Sequence, residues 1–485
     1  MELKLEQKDW VFLSLCLLVG VVAEESFFID QIGISYFVFI ISFYLLFFWR
    51  FRSFGFSHQR FGYLILISIW ILAAGFYLYD NALFYTLNIV VIPMLVIFHL
   101  VLITSPKKFE WSHLYFIHYI VHRLVDGIRY NAIFIKYLSR LSKDNYSKKH
   151  YDVWKKVLIG VGISVPFLFI IVNLLISADT QFAKILSSIP SFLTFRGDLV
   201  FRFAIILIYT FLFFGFLQAL LQKKMELIHK EGSEKPISID GIITLTVLLL
   251  LDLVYILFVA VQFKYFFSGT LGDGFTYAEY ARRGFFELLF VTLINLTITV
   301  AVIYTTKLVQ GWLKNTIRIS LTVLILSSGV ILISAFMRML MYEDAYGFTF
   351  TRVLAHSFMI FLMFILTYTL IKIWLEELSI FHFYFIAALI YYVGINIINL
   401  DWVVVKQNIA RYEETGKIDI YYLDQFSSTG TLGLIELYET NPNVNGLKEL
   451  LKQRKQEREH KKSDTWQSQN LSRDKLYKRL GELDL

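Results

Sequence analysis

Runs of about twenty apolar residues recur along the chain between short polar breaks, and they predict membrane-spanning helices. Crossing the hydrocarbon core takes about 20 helical residues, because lipid offers the backbone no hydrogen-bond partner. Eleven stretches qualify, near 10–26, 33–49, 61–79, 83–104, 156–177, 199–221, 239–263, 284–306, 317–338, 350–374 and 380–400. The pair 61–104 is nearly continuous and breaks only at Asp80-Asn81. Glu24 and Glu25 stand where a cleaved leader would carry small residues, so the first run is predicted to be a retained span. The fold class that follows is an all-α, polytopic integral membrane protein.

Lys and Arg orient such a chain, since they accumulate in cytoplasmic loops. With the N-terminus cytoplasmic, the inner loops hold Arg50, Arg52 and Arg60, then eleven Lys and Arg between Lys107 and Lys156, and four between Lys223 and Lys235. Lys307, Lys314, Arg318 and Lys372 complete the inner set, whereas the opposite loops at 27–32 and 80–82 hold none. Eleven spans then put the C-terminal tail outside, despite its fourteen Lys and Arg. Composition agrees with a membrane environment: 57% of residues are hydrophobic and only 18% charged, against about 25% charged in soluble domains. The net charge of +7 therefore speaks for topology, not for nucleic acid. The lone Cys16 excludes an internal disulfide and a Cys-based metal site.

Four regions follow: a four-span bundle over 1–104, cytoplasmic interfacial helices over 105–155, a seven-span domain over 156–400, and a polar helical tail over 401–485, read as extracytoplasmic. In 105–155, apolar residues from Phe109 to Ile128 recur at helical spacing among His, Arg and Lys, as in a helix lying in the interface. His118, His122 and Asp126 share one face of it at i, i+4, i+8. A metal site needs three or four converging ligands, which one helix face rarely supplies. No cofactor is called for, and the surface connector is preferred. The tail lacks the apolar content of an independent catalytic domain. It reads as helices around the turn Glu414–Lys417, a break at Asn441-Pro442-Asn443 and a charged helix over 446–462.

Ionisable groups at membrane depth are costly and therefore informative. Asp252 lies mid-way along an apolar run, fit for an interhelical hydrogen bond or for proton or cation coupling. A denser group gathers at the outer ends of the later spans. Glu279, Arg283 and Glu287 fall on one face if helical, with Arg282 beside them; Arg338 and Tyr342 end one span, and Arg352 and His356 open the next. Arg forks bond both oxygens of phosphate or carboxylate, so these eight residues are a candidate anion site, although a salt-bridge network would use the same ones.

Several of these motifs resemble a large bacterial family of polytopic membrane proteins catalogued only as a domain of unknown function. The stretch Tyr277–Leu288 carries the most specific likeness. Phe27-Phe28-x-Asp30, Ser177-Ala-Asp179-x-x-Phe182, Tyr346-Gly-x-Thr349-x-x-Arg352, Asn408-Ile-x-Arg411-Tyr and Gly416-Lys-x-Asp419-x-x-Tyr422-Leu are also similar. An acid would be expected near 427–430, where this chain has Ser-Ser-Thr-Gly. The resemblance implies a multi-pass protein of the bacterial cytoplasmic membrane and no particular activity.

Three functions fit these features. The preferred one is non-enzymatic: binding or transport of an anionic envelope molecule or lipid head group at the outer face. A sensor or scaffold would meet a partner protein through the tail. A polyprenyl-linked glycosyltransferase-like enzyme would use acids of the first outer loop, Glu24, Glu25 and Asp30. Against transport, no Gly/Pro-broken helix pair marks a midplane site.

Single-cysteine labelling in a Cys16→Ser background tests the orientation. An impermeant reagent on intact cells is expected to spare positions 223–235 and to reach a Cys at Ser463; the reverse pattern would invert the topology.

Overall fold

The computed structural model describes the chain apart from residues 1–5, 108, 113–114, 142–196 (except 160, 164, 171 and 175), 223–238, 264–284, 307–309, 461–464 and 485. The described residues form sixteen α-helices, and no strand beyond an isolated bridge between Ile239 and Thr306. Nine of these helices, among the described residues, are long and apolar enough to cross a membrane. They are α1 (Gln7–Phe28), α3 (Gln59–Leu78), α4 (Ala82–Thr104), α6 (Gly197–Leu221), α7 (Gly241–Gln262), α8 (Phe285–Thr305), α9 (Trp312–Tyr346), α10 (Phe350–Trp374) and α11 (Ile380–Ile397). The shorter apolar helix α2 (Ile34–Arg50) packs between α1 and α3. The expected span 156–177 lies almost wholly outside the described residues. The polytopic helical architecture legible in the hydrophobic pattern is thus the observed one.

Two bundles share the work of burial. Helices α1–α4 and α6 close around Phe12, Phe47, Ile69, Leu102 and Phe214, and α7–α10 around Leu248, Leu324, Ile331 and Met359. Helix α11 touches both α3 and α10 and joins the two. Where polar side chains enter the bundles they pair across helices, as lipid demands. Asn88 of α4 donates to Asn396 of α11 at 2.8 Å, and Tyr392 donates to Asn88 at 2.7 Å. Tyr44 bonds His99 at 2.9 Å. At the end that carries the basic loops, Arg50 meets Asp9 at 2.6 Å and Gln218 at 3.1 Å, clasping α1, α2 and α6.

Helix α5 (Tyr115–Leu141) departs from the simple interfacial pattern. It packs along α6 through Phe116, Tyr119, Tyr130 and Phe134, while Ile117, Val121 and Ile128 face outward. Its Arg123 is not on an exposed basic face but buried. The guanidinium bonds the Gln222 carbonyl at 2.9 Å and the Tyr119 hydroxyl at 3.1 Å. The reason is local: the last carbonyls of α6 lack helical partners, and a cation satisfies them.

The tail folds into α12 (Leu400–Thr415), α13 (Ile420–Asp424), α14 (Ser428–Thr440), α15 (Leu447–His460), a 3-10 turn at Trp466–Ser468 and α16 (Leu471–Glu482). The turn and break expected from sequence are both present: α12 stops at Gly416, whose φ of 67° suits glycine, and α14 ends before Asn441-Pro442. Few apolar residues suffice for a core of its own, with Val404, Val405, Leu423, Leu434, Leu447, Leu451 and Leu480 converging. Helices α12 and α14 approach so closely that a Cβ at Gly433 would collide with the Val405 side chain. Gly433→Val is accordingly expected to destabilise the tail by about 1–3 kcal/mol through overpacking. Protease susceptibility of α12–α16 measures it, and an unchanged digestion profile would contradict the packing.

Candidate functional site

The tail docks on one end of the bundle, against the turns that the Lys/Arg pattern assigns to the outside. Its 3-10 turn fits into the α1–α2 connection, where Ile34 N–H donates to the Gln469 carbonyl at 3.1 Å. Gly33 there lies against the backbone of 467–469, and no side chain larger than hydrogen fits. Buried Asn470 serves two helix ends at once. Its amide donates to the Phe76 and Tyr79 carbonyls, both at 2.9 Å, and its oxygen accepts from Arg473 N–H at 3.1 Å. Ser472 adds a bond to the Leu78 carbonyl at 2.8 Å. The carbonyls left over at the end of α3 are thereby satisfied by the tail.

The start of α14 receives two carboxylates. Asp80, from the α3–α4 turn, accepts from Ser428 N–H at 3.0 Å and its hydroxyl at 2.5 Å. Asp401, buried at the start of α12, accepts from Ser427 Oγ at 2.5 Å and Asn81 Nδ2 at 2.9 Å. Anions are stabilised at helix N-termini by free N–H groups and the helix dipole. The Ser-Ser-Thr-Gly segment therefore needs no acid of its own, because two reach it from other elements. Below it, a cavity of about 30 Å³ touches Asn81, Asn88, Asn396 and Asp401, enough for a water molecule with several partners.

The acids near the first turn are likewise engaged. Glu24 is 1% exposed and Arg202 of α6 grips it, with Nη2 at 2.9 Å; the same guanidinium reaches Glu25 at 2.9 Å. Gln467 donates to Glu25 at 3.1 Å, and Thr465 donates to Asp30 at 2.8 Å. Hydrogen bonds from Gln31 N–H and Thr465 lower the Asp30 pKa.

Of the eight residues of the candidate anion site five are described, and among these Arg352 meets Tyr342. Glu279, Arg282 and Arg283 lie outside the described residues, and Glu287 is exposed on the first turn of α8. Arg338 is buried and donates to Gln262 at 3.3 Å. Arg352 lies 4.0 Å over the Tyr342 ring and bonds the Gly347 carbonyl. His356 Nδ1 sits 3.1 Å from Glu343, a buried acid that follows Tyr342 in the chain. Of the weak metal candidates, Asp126 lies 3.2 Å from His122 and 3.7 Å from both Arg123 and Arg129, while His118 is exposed. Among the described residues no group of three or more His, Cys, Asp or Glu is placed to hold a metal.

A groove missed in the sequence lies beside the docked tail. About 550 Å³ in volume, it is bounded by Leu78 and Tyr79 at the end of α3, by Trp402 and Leu432, and by Lys475, Lys478 and Arg479 of α16. Glu436 and Glu482 also line it, and Arg479 is held by Glu439 at 2.9 Å, so Lys475 and Lys478 supply its forward charge. Lys475, Lys478 and Arg479 fall within one helical turn, a spacing that could have been noticed, but which apolar wall they would face could not.

Residues 66–437, most of the chain, match a family described as a domain of unknown function, DUF4153. The chain belongs to that family. No curated protein and no solved structure matches it. Membership of DUF4153 agrees with the resemblance drawn from the motifs, and together with the nine apolar helices it identifies a multi-pass membrane protein of uncharacterised function.

The acid pair at α14 predicts a pH dependence. Burial, reinforced by nearby Asp80, raises the Asp401 pKa above the usual carboxylate range, against the lowering effect of Ser427 and Asn81. Between its ordinary and raised values the folded protein holds more protons than the unfolded one, so stability falls as pH rises through that window. Tail docking is expected to tighten as the pH is lowered through it, and Asp401→Asn to flatten the response. Hydrogen exchange of α12 and α14 against pH reads this out, and identical profiles for wild type and variant would refute it.

Proposed function

We propose that this DUF4153 protein binds the head group of an anionic lipid on the face that bears its tail. The observation that supports this most directly is the groove beside α16. Tyr79 and Trp402, at the level where α3 and α11 end, suit the head-group layer, where amphipathic rings concentrate. Lys475 and Lys478 stand beyond them, and each basic residue near an anionic surface adds about 1 kcal/mol of attraction. An acyl chain would lie along Leu78 and Leu432 while the phosphate meets the ammonium groups. In this reading Arg338 and Arg352 brace the ends of α9 and α10, and the face is extracytoplasmic by the Lys/Arg pattern.

The transferase-like alternative loses support because its acids are occupied. Glu24 is buried against Arg202, and Glu25 and Asp30, though more exposed, are bonded by Arg202, Gln467 and Thr465. A general base or a metal ligand needs free lone pairs directed at substrate.

Titrating the purified full chain in neutral detergent with phosphatidylglycerol is the test. The lipid is expected to raise the melting temperature, and Lys475→Gln with Lys478→Gln to remove that rise while leaving the lipid-free melting temperature unchanged. Equal stabilisation of the double variant, or equal stabilisation by phosphatidylcholine, would sink the proposal.

A further inference from the structure

The inward face of α9 carries a line of polar groups from one end of the bundle to the other. Ser320 donates to Asp252 of α7. Further along, Asn295 of α8 donates to Ser328 at 2.9 Å, and Ser334 donates to Gln262 of α7 at 2.8 Å. Arg338 follows on Gln262, and Glu343 closes the line against His356 of α10. From Ser320 to Glu343 the helix rises roughly 35 Å, comparable to the hydrocarbon thickness of about 30 Å.

Polar residues that only glue spans together complete one another's hydrogen bonds. These do not. Asp252 is 5% exposed, Asn295 0% and Glu343 1%, yet among the described residues Oδ1 of Asp252, Oδ1 of Asn295 and Oε1 of Glu343 have no hydrogen-bond partner. All three atoms are acceptors, so what they lack is a hydrogen. Leaving one such acceptor buried and unmatched costs about 1–3 kcal/mol. The fault recurs three times, once each on α7, α8 and α9, and protons or proton-donating water would correct all three.

We propose that this seam is a proton relay through the α7–α10 bundle, with Asp252 and the Glu343–His356 pair as its two titratable stations. A proton arriving from the Lys314 and Arg318 end bonds to Oδ1 of Asp252. Transfer onward breaks that O–H bond and forms one on the first of a file of water molecules along the seam, each of which gives up one O–H bond as it forms the next, with the Asn295 amide oxygen orienting the file as an acceptor. The next transfer forms the O–H bond on Oε1 of Glu343, and His356 hands the proton to the far side. Charge moves only as the proton, and each donor is restored by the next. The other titratable or charged groups of these helices are Tyr255 on α7, Glu287 and Tyr304 on α8, Arg338, Tyr342, Asp344 and Tyr346 on α9, and Tyr368, Lys372 and Arg352 on α10, the last turned to Gly347 and Tyr342. At the near end Lys314 and Arg318 are paired with Glu376. The described buried polar groups of α8 are Thr292, Asn295 and Thr299.

This inference is independent of the lipid groove and has its own experiment. The full chain is reconstituted in vesicles holding a pH-sensitive dye, and a potassium gradient with valinomycin drives proton entry. Wild type is expected to acidify the lumen faster than protein-free vesicles, Asp252→Glu to retain the flux and Asp252→Asn to lose it. Glu343→Gln, at the distant end, is expected to lose it as well and carries the test if Asp252→Asn fails to reconstitute as a monodisperse species. Wild-type flux no greater than that of empty vesicles, undiminished flux in both variants, or flux that follows sodium in place of protons would each overturn the relay.

Discussion

A bilayer interior supplies no hydrogen-bond partners, and nearly every feature of this protein answers to that constraint. It forces the apolar runs into helices, whose backbones satisfy themselves. It also makes each polar side chain within a span seek a partner on another helix. Asn88 with Asn396, Tyr44 with His99 and Ser320 with Asp252 join α4 to α11, α2 to α4 and α9 to α7. These pairs set which helices are neighbours, because apolar surface alone discriminates poorly among partners in lipid.

The same need operates at the helix ends, where four carbonyls or N–H groups per terminus go unmatched. The tail meets it. Asn470 and Ser472 close the end of α3, Asp80 closes the start of α14, and Arg123 closes α6 at the opposite end. A segment rich in charged residues is thus fixed to the bundle by polar bonds that the membrane helices would otherwise lack. Docking is also what creates the groove, since one wall comes from α3 and the other from α16.

Where the constraint is met fully, the result is rigid structure; where it is left unmet, function is the natural place to look. The occupied acids Glu24, Glu25 and Asp30 belong to the first kind. The bare oxygens of Asp252, Asn295 and Glu343 belong to the second. Both kinds look alike in a sequence, as isolated polar letters at the ends or middles of apolar runs.

The sequence by itself determined the class of fold, the number and limits of most spans and the helical breaks of the tail. These depend on local properties: hydrophobic length, Gly and Pro positions, and charge in short loops. It also marked Asp252, because a lone carboxylate in an apolar run is conspicuous whatever surrounds it. Tertiary structure alone decided the rest. Arg123 became a buried cap because the end of α6 falls beside it, although its spacing suits an exposed face. Arg338 and Arg352 turned to different partners because side-chain direction depends on neighbours remote in sequence. Asp80 found Ser428, 348 residues away, and Asp401 found Ser427, 26 residues away. Such pairings follow from which helix ends lie together in space, and a linear pattern of polar and apolar residues does not encode that.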